Sequence, residues 1–353
     1  MTSDRNKTMK IDSKEKIILL SKTITLNSKS TVKDIENKII YQDLLKCIDF
    51  LPDSFIDLLI IDPPYNLTKV FGTTTFSKTD SKTYETWLDS WMSKIVRCLK
   101  PTSSIYICCD WQASKSIQTI AEKYFIIRNR ITWEREKGRG AKTNWKNCSE
   151  DIWFATMSKD YYFNVEAIKL KKKVIAPYKN KEGEAKDWEE TSDGNFRLTF
   201  PSNLMTDISI PFWSMPENTE HPTQKPEKLM AKLILASSKE SEVVFDPFMG
   251  SGTTAVVAKK LGRIFSGVEQ EELYVQLTEK RLLAVENDKV IQGYQNGVFW
   301  ERNTLAEQGK ETANIKKEKE TQEKKLNQEI VLKHLPYKHL LKRPQINEVF
   351  TLL

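Results

Sequence analysis

Apolar runs alternate with amphipathic segments through most of the chain between residues 37 and 288. Short apolar runs, such as LLII before Asp62 and VVF before Asp246, indicate strands buried on both faces. Segments with apolar residues three or four positions apart, such as YETWLDSWMSKIV and ELYVQLTEKRLLAV, indicate helices with one buried face. Strands that alternate with helices at this spacing predict an α/β fold built on a doubly wound, mostly parallel sheet.

The alternation weakens in the middle of the chain and at both ends. In residues 134–219, cations stand among Trp and Tyr residues, and Gly and Pro interrupt the periodicity. Residues 1–36 are polar and predict a loosely ordered N-terminal extension. Residues 301–353 form a mixed-charge tail of helical pattern, either a solvated helix or a contact for DNA or another partner. The main domain is therefore expected to span 37–300, with 134–219 as an insertion.

The strand before Asp62 ends in the rigid tetrapeptide Asp62-Pro63-Pro64-Tyr65. An exocyclic amino group of a nucleobase is a weak nucleophile, because its lone pair is delocalised into the ring. A carboxylate (Asp62) and a fixed backbone carbonyl (Pro63) can accept its two N–H hydrogens, while an aromatic ring (Tyr65) stacks on the base. The competing interpretation is a simple strand-ending turn, in which the prolines only block further pairing.

A glycine-rich turn follows the strand that ends at Asp246. Gly250 and Gly252 allow close approach of the backbone to a ligand, and Glu269 ends the next predicted strand, where an acid can bind ribose hydroxyls. Ala255 occupies the third position of the dinucleotide fingerprint, and the Gly-Lys-Ser/Thr of a phosphate-binding loop is missing from this turn. The pattern therefore favours a cofactor with a nucleoside but no large phosphate, which S-adenosylmethionine satisfies.

Charge and cysteine usage narrow the picture further. The chain has 55 Lys and Arg against 48 Asp and Glu, and this net charge of +7 leans towards an anionic partner. Five cysteines without a C-x-x-C pair and only three histidines argue against disulfides and against a metal site. The charged N-terminus is unlike a signal peptide, and no apolar run is long enough for a membrane span, so a soluble cytoplasmic protein without membrane contact is expected.

These motifs together resemble the amino-methyltransferases of DNA, in the beta-type order that places the catalytic motif before the cofactor motif. DPPY (62–65) matches the family's D/N/S-P-P-Y/F/W motif, and DPFMGSGTT (246–254) matches its cofactor loop. HPTQKP (221–226) matches the segment that helps hold the methionine end of the cofactor, and YQDLLKCI contains an acid, Asp43, expected near the adenine. The resemblance covers about residues 37–287, without most of the insertion.

The resemblance implies a fold of the S-adenosylmethionine-dependent methyltransferase type, base flipping and direct methyl transfer without a covalent intermediate. The chain contains no Pro-Cys pair, which methylation at cytosine carbon 5 would require. The implied catalytic residues are Asp62, Pro63, Pro64 and Tyr65. The implied cofactor residues are Asp43, Asp62, Thr223, Lys225, Asp246, Phe248, Gly250, Ser251, Gly252, Thr253 and Glu269.

In the resembling family, aspartate at the first motif position leans towards the N6 amino group of adenine. The resemblance therefore implies a site-specific adenine methyltransferase of duplex DNA, within a restriction-modification system or as a solitary regulator. The alternatives are a cytosine-N4 methyltransferase, a catalytically silent DNA-binding subunit, and an enzyme acting on RNA or a protein amide. A homodimer and a cognate restriction endonuclease are plausible partners.

Target recognition is assigned to residues 134–219. The candidate DNA contacts there are Arg135, Lys137, Arg139, Lys142, Trp145, Lys171, Lys172 and Lys173. Solvated surface charge is the alternative for each lysine. Residues 68–81, rich in Thr and Ser, are expected to close over the flipped base.

Overall fold

The computed structural model describes residues 5–135, 142–174, 180–182, 188–191 and 194–309. The chain divides into two compact units, residues 1–304 and 305–353, and the elements below all belong to the first. The helices are α1 (Lys16–Leu20), α2 (Val32–Ile35), α3 (Leu44–Cys47), α4 (Ser81–Ile95), α5 (Ser114–Ala121), α6 (Glu227–Ser237), α7 (Thr253–Lys260) and α8 (Glu272–Ala284). The strands are β1 (Lys38–Tyr41), β2 (Ile56–Ile61), β3 (Lys69–Phe71), β4 (Thr74–Phe76), β5 (Leu99–Cys109), β6 (Ile126–Glu134), β7 (Ser149–Thr156), β8 (Leu170–Lys173), β9 (Glu189–Thr191), β10 (Gly194–Thr199), β11 (Leu204–Met205), β12 (Val243–Asp246), β13 (Ile264–Glu269), β14 (Tyr294–Gln295) and β15 (Val298–Trp300).

Eight strands form the central sheet in the order β1-β13-β12-β2-β5-β7-β6-β11. The first five pair in parallel, and β7 runs antiparallel between β5 and β6. Parallel neighbours need a crossover connection, which α4 and α7 provide after β2 and β12. The predicted fold class, a doubly wound and mostly parallel α/β sheet, is confirmed.

Alternate residues of the central strands enter two separate cores. In β2, Ile56, Leu59 and Ile61 face the core shared with α4 and α5, while Leu58 and Ile60 face the core shared with α6 and α7. All five side chains are fully buried, and each contributes about 1.5–3 kcal/mol to the free energy of folding. Burial on both faces fixes the register of the strand and therefore the position of the loop that follows it.

The region predicted as an insertion contains part of the central sheet. β7 lies within residues 134–219, yet it occupies the slot between β5 and β6. β8, β9 and β10 of the same region form a second, five-stranded sheet with β14 and β15 from the far end of the domain. Residues 134–219 are therefore not one continuous insertion, because strand pairing brings distant segments into each sheet. Their role in target recognition remains a prediction.

The described part of the N-terminal extension packs against the main domain. Leu19, Leu26 and Ile35 are buried, and residue 24 forms a parallel bridge with Ile40 of β1. The Lys280 ammonium of α8 lies 2.7 Å from the Glu15 carboxylate. The expectation of a loosely ordered segment is therefore wrong for residues 5–36. Its three buried apolar residues are too widely spaced to produce a helical or strand pattern.

No helix within the described ranges is long and apolar enough to cross a membrane.

Candidate active site

Two loops at the carboxyl edge of the central sheet share one cavity. β2 ends just before Asp62, β12 ends at Asp246, and these two strands are paired neighbours. The chain leaves them in opposite directions, from β2 towards β5 and from β12 towards β13. Such a reversal of strand order opens a crevice at the sheet edge, where α/β proteins bind ligands. Residues of both loops line a cavity of about 260 Å3.

The turn after β12 depends on glycine. Gly250 and Gly252 have φ values of +53° and +77°, in the left-handed region that side chains disfavour. Gly252 is the residue that precedes the first turn of α7, and Ser251 and Thr253 line the cavity beside it. The amino terminus of α7, with its unpaired N–H groups and partial positive charge, is thereby directed at the cavity.

Asp246 stabilises this turn through two hydrogen bonds. Its carboxylate accepts hydrogen bonds from the Phe248 amide (2.9 Å) and from the Thr254 hydroxyl (2.6 Å). Burial raises the pKa of Asp246 to about 7, although both hydrogen bonds oppose that shift. Asp246 therefore titrates close to neutral pH.

Glu269 lies at the end of β13, on the other side of the same turn. One carboxylate oxygen accepts from the Gly250 amide (2.7 Å), and the other accepts from the amides of Gln270 and Glu271. A carboxylate has about four acceptor positions, so one position remains for a ligand hydroxyl. Burial raises the pKa of Glu269 to about 7.

The cavity fits the cofactor that the sequence predicts. The Phe248 ring packs against Trp91 and Trp87, with centroids 5.1 and 6.0 Å apart, and provides an apolar wall for a purine. Glu269 offers an acceptor for a ribose hydroxyl, and the amino terminus of α7 suits a carboxylate. Asp43 caps α3 through the Leu45 amide at 2.8 Å and also lines the cavity. Apart from Gly252, every predicted cofactor residue lines it: Asp43, Asp62, Thr223, Lys225, Asp246, Phe248, Gly250, Ser251, Thr253 and Glu269.

The predicted catalytic tetrapeptide lies at the same cavity. The Tyr65 hydroxyl donates a hydrogen bond to Asp62 at 3.0 Å, and Tyr84 of α4 donates to the Pro64 carbonyl at 3.0 Å. Burial, followed by the nearby charges of Asp62 and Glu150, raises the pKa of Tyr65 well above its ordinary value. Tyr65 therefore remains a protonated donor. Its bond to Asp62 and the bond from Tyr84 to Pro64 together fix the conformation of the tetrapeptide.

Lys225 and Glu150 contact this tetrapeptide. The Lys225 ammonium lies 2.7 and 2.6 Å from the two Asp62 oxygens and 3.4 Å from Glu150. The sequence associated Lys225 with the cofactor, whereas the structure also places its ammonium on the Asp62 carboxylate. Sequence reasoning missed Glu150, because its approach to Asp62 depends on the position of β7 in the sheet.

The segment after the tetrapeptide forms the β3–β4 hairpin. At its tip, the Thr73 amide donates to the Glu271 carboxylate at 2.8 Å, and the Gly72 amide donates to the Tyr274 hydroxyl at 3.1 Å. Phe71 and Thr74 of the hairpin line the cavity. The structure thus places the hairpin beside Glu269 and its neighbours, and closure over a flipped base remains a prediction.

None of the five cysteines, all of which lie within the described residues, lines the cavity. Cys47, Cys98, Cys108 and Cys109 are buried, which raises the pKa of each thiol, and Cys148 is exposed. Cys109 and Cys108 belong to the two cores on opposite faces of the central sheet. Among the residues with described positions, no three His, Cys, Asp or Glu side chains are grouped to hold a metal ion.

Comparison with known proteins identifies the family. The model of the family described as DNA methylase matches residues 56–280, a range that contains both motif loops and more than half of the chain. The chain belongs to the DNA methylase family. The resemblance inferred from the sequence is confirmed, and the protein is a DNA methyltransferase.

Named relatives support the same assignment. The chain is 32% identical to the type II methyltransferase M.HpaI of Haemophilus parainfluenzae, over 70% of this chain and 74% of the relative. It is 30% identical to the type II methyltransferase M.BglII of Bacillus subtilis, over 68% and 67% of the two chains. The solved structure of the cytosine-N4-specific PvuII DNA methyltransferase covers 79% of this chain and 97% of its own at a TM-score of 0.51 and 15% identity, which supports the fold alone.

The predicted DNA contacts of this DNA methylase fall in three places. Arg135 follows β6, and its guanidinium lies 2.8 Å from Glu150 beside the cavity. Lys142 and Trp145 are exposed, whereas Lys137 and Arg139 lie outside the described residues. Lys171, Lys172 and Lys173 lie on β8 of the second sheet.

The three lysines of β8 differ in their surroundings. Lys171 lies over the rings of Phe196 and Trp300, at 5.3 and 4.5 Å from their centroids. Lys172 is 4.0 Å from the Glu301 carboxylate, and Lys173 is exposed. Strand alternation therefore places Lys171 and Lys173 on one face of β8 and Lys172 on the other, and their part in DNA binding remains a prediction.

Proposed function

We propose that this DNA methylase transfers a methyl group from S-adenosylmethionine to the N6 amino group of adenine at a specific site in duplex DNA. One observation carries the proposal: the Asp62 carboxylate and the Tyr65 ring share a cavity with the glycine turn and Glu269. A methyl donor held by the turn and an amino group held by Asp62 would therefore meet in one space.

The residues of the tetrapeptide have distinct parts in this reaction. Asp62 and the Pro63 carbonyl accept the two amino hydrogens, which turns the nitrogen lone pair towards the methyl donor. Tyr65 stacks on the base, which must leave the duplex because the amino group is otherwise paired inside it. When bound, S-adenosylmethionine supplies an electrophilic methyl group on a sulfonium. Asp62 is positioned to accept the proton that the methylated nitrogen then loses.

The biological setting follows from the same family. Two relatives are named as type II methyltransferases, which supports a role in a restriction-modification system with a cognate endonuclease of the same specificity. A homodimer is the proposed assembly, and sedimentation of the purified chain at micromolar concentration measures it directly.

Expression in cells that lack DNA methylation, followed by mapping of modified bases, tests the reaction. We expect N6-methyladenine at one short recurring sequence, and no modification from the Asp62→Ala variant. N4-methylcytosine would overturn the choice of base and leave the chemistry intact. A folded wild-type chain that binds DNA but modifies none would favour a silent DNA-binding subunit. Methyl transfer to RNA or to protein without any transfer to duplex DNA, measured with the same preparation, would overturn duplex DNA as the substrate.

A further inference from the structure

Lys225 occupies the position that the proposed reaction reserves for the target amino group. Its ammonium donates hydrogen bonds to both Asp62 oxygens, at 2.7 and 2.6 Å, and to the Tyr65 hydroxyl at 3.1 Å. It also lies 5.3 Å from the centroid of the Tyr65 ring. A base amino group would donate to the same carboxylate beside the same ring. Two donors therefore compete for Asp62, one from the enzyme and one from the DNA.

The ammonium is charged and enclosed. Only 6% of the Lys225 side chain is exposed, and burial alone would lower its pKa. The carboxylates of Asp62 and Glu150 outweigh that effect and raise the pKa of Lys225 above its ordinary value. A buried ammonium that leaves one carboxylate needs another close by, because an unpaired buried charge is strongly destabilising.

Glu150 provides that second carboxylate. Its Oε2 atom lies 3.4 Å from the Lys225 ammonium, and its Oε1 atom is held by Arg135 at 2.8 Å. An ammonium–carboxylate hydrogen bond measures about 2.8 Å, so a shift of less than about 1 Å would complete it. Glu150 lies outside the catalytic tetrapeptide and is nearly fully buried.

We propose that Lys225 is a positioning residue that holds Asp62 before DNA binds, and that it moves onto Glu150 when the target amino group enters. The exchange rests on the proposed function, since it requires an amino group that binds Asp62. Hydrogen bonds are exchanged, and no covalent bond forms or breaks. The total charge of the site stays the same, which keeps the cost of inserting the base low.

The Glu150→Gln variant tests the receiving carboxylate. The full chain is mixed with duplex DNA that carries 2-aminopurine at the mapped target adenine, a base whose fluorescence rises when it leaves the stack. Without a second carboxylate, Lys225 stays on Asp62, so we expect the fluorescence gain to fall and the KM for unlabelled DNA to rise by at least roughly tenfold. Asp151→Asn is the matched control, because Asp151 is the next residue of β7 and contacts Thr132 and Arg130 instead. A Glu150→Gln variant that behaves like Asp151→Asn would overturn the proposal.

The Lys225→Met variant tests the donor. We expect its affinity for S-adenosylmethionine, measured by calorimetry, to stay within about threefold of wild type, while the single-turnover methylation rate falls at least roughly tenfold. Lys225→Arg keeps the charge and should recover part of that rate. Lys94→Met, outside the cavity on the surface of α4, is the control for loss of a lysine. Equal losses of cofactor affinity and methylation rate would assign Lys225 to the cofactor instead.

Both tests begin with a wild-type enzyme that methylates the mapped duplex, so failure of the proposed function appears separately, as an inactive wild type. Thermal unfolding of each variant distinguishes a changed site from a chain that fails to fold. If Lys225→Met fails to fold, the Glu150→Gln fluorescence measurement still decides the proposal.

Discussion

At the scale of single residues, the tetrapeptide Asp62-Pro63-Pro64-Tyr65 places the proposed acceptor, Asp62, and the proposed stacking ring, Tyr65, on different side chains. Asp62 is surrounded by donors, and Tyr65 supplies both a hydroxyl and a ring. The hydroxyl bond to Asp62 and the ring can be removed one at a time by substitution, which allows the contribution of each to be measured.

Tyr65→Ala should reduce the methylation rate far more than Tyr65→Phe. The Phe variant keeps the ring and loses the hydroxyl, which bonds Asp62 and Lys225; a hydrogen bond to a charged group is worth about 1.5–3 kcal/mol. The Ala variant also loses base stacking, worth about 1–3 kcal/mol, so we expect a rate at least roughly tenfold below that of Phe. Single-turnover methylation of the mapped duplex provides the measurement. Equal rates for the two variants would show that the ring does not bind the base.

The affinity for S-adenosylmethionine should fall as pH drops through about 7. Burial raises the pKa of Glu269 and of Asp246 to about 7. Glu269 accepts a ribose hydroxyl best when ionised, so affinity is full above pH 7 and decreases below it. Calorimetry between about pH 5.5 and 8.5 should show a loss of up to roughly tenfold per pH unit for each group that must ionise.

Glu269→Gln is the variant that assigns this pH dependence. It should bind the cofactor more weakly than wild type above pH 7 and lose part of the slope, with the remainder due to Asp246. A wild-type affinity that is constant from pH 6 to pH 8.5 would contradict the prediction.

At the scale of elements, the glycine turn and the amino terminus of α7 act as one unit. Gly252 has a left-handed backbone, and a methyl group added there would collide with Thr278 of α8. The Thr278 hydroxyl also donates to the Gly250 carbonyl at 3.1 Å, so the turn is supported by a neighbouring helix. Distortion of Gly252 should therefore reach the cofactor residues on both sides of it.

Gly252→Ala should weaken cofactor binding at least roughly tenfold and lower the free energy of unfolding, because backbone strain of about 1 kcal/mol adds to the collision. Gly297→Ala is the matched control: Gly297 has nearly the same φ, +78°, but an added methyl group meets no atom within 4 Å. Denaturant titration measures the free energy of unfolding of both variants, and calorimetry measures their affinity for the cofactor. Backbone strain is common to both variants, whereas the collision with a neighbouring side chain occurs only in Gly252→Ala. The prediction fails if Gly252→Ala binds the cofactor as tightly as Gly297→Ala does.

Helices and strands with strong local patterns were predictable. The strand before Asp62 and the helix YETWLDSWMSKIV appear as β2 and α4, where Asp80 caps the helix through the Thr83 amide at 3.0 Å. The packed N-terminal extension was not predictable, because its buried residues are isolated in sequence. Its stability comes from contacts with β1 and α8, which no local pattern encodes.

At the scale of the whole molecule, the cations predicted to contact DNA are distributed over two sheets. Arg135 follows β6 and pairs with Glu150 of β7, while Lys171, Lys172 and Lys173 lie on β8 of the second sheet. Lys171 and Lys173 lie on one face of β8 and Lys172 lies on the other, since alternate residues of a strand face opposite sides.

Substitution of Lys171, Lys172 and Lys173 by Ala should weaken binding to the mapped duplex and flatten its salt dependence. The logarithmic slope should decrease by roughly 0.9 for each phosphate that no longer binds a lysine. Fluorescence anisotropy across a salt series measures the slope. Ala substitutions at Lys33, Lys46 and Lys115, which are exposed on α2, α3 and α5, serve as the control set. If both triple variants keep the wild-type slope, the β8 lysines do not bind phosphates.

The local motifs of this protein could be located from the sequence. The strand-ending tetrapeptide, the glycine turn and the acid at Glu269 are local, because buried runs, left-handed glycines and helix starts depend on neighbouring residues. Which of these motifs come into contact depends on the tertiary structure. Asp62, Glu150 and Lys225 come together because strand order places β12 and β5 on either side of β2, with β7 next to β5. Lys225 precedes α6, and its carbonyl accepts from Thr253 of α7, the helix that follows β12. Pairing between distant strands depends on the packing of the whole core, so no local pattern could reveal that contact.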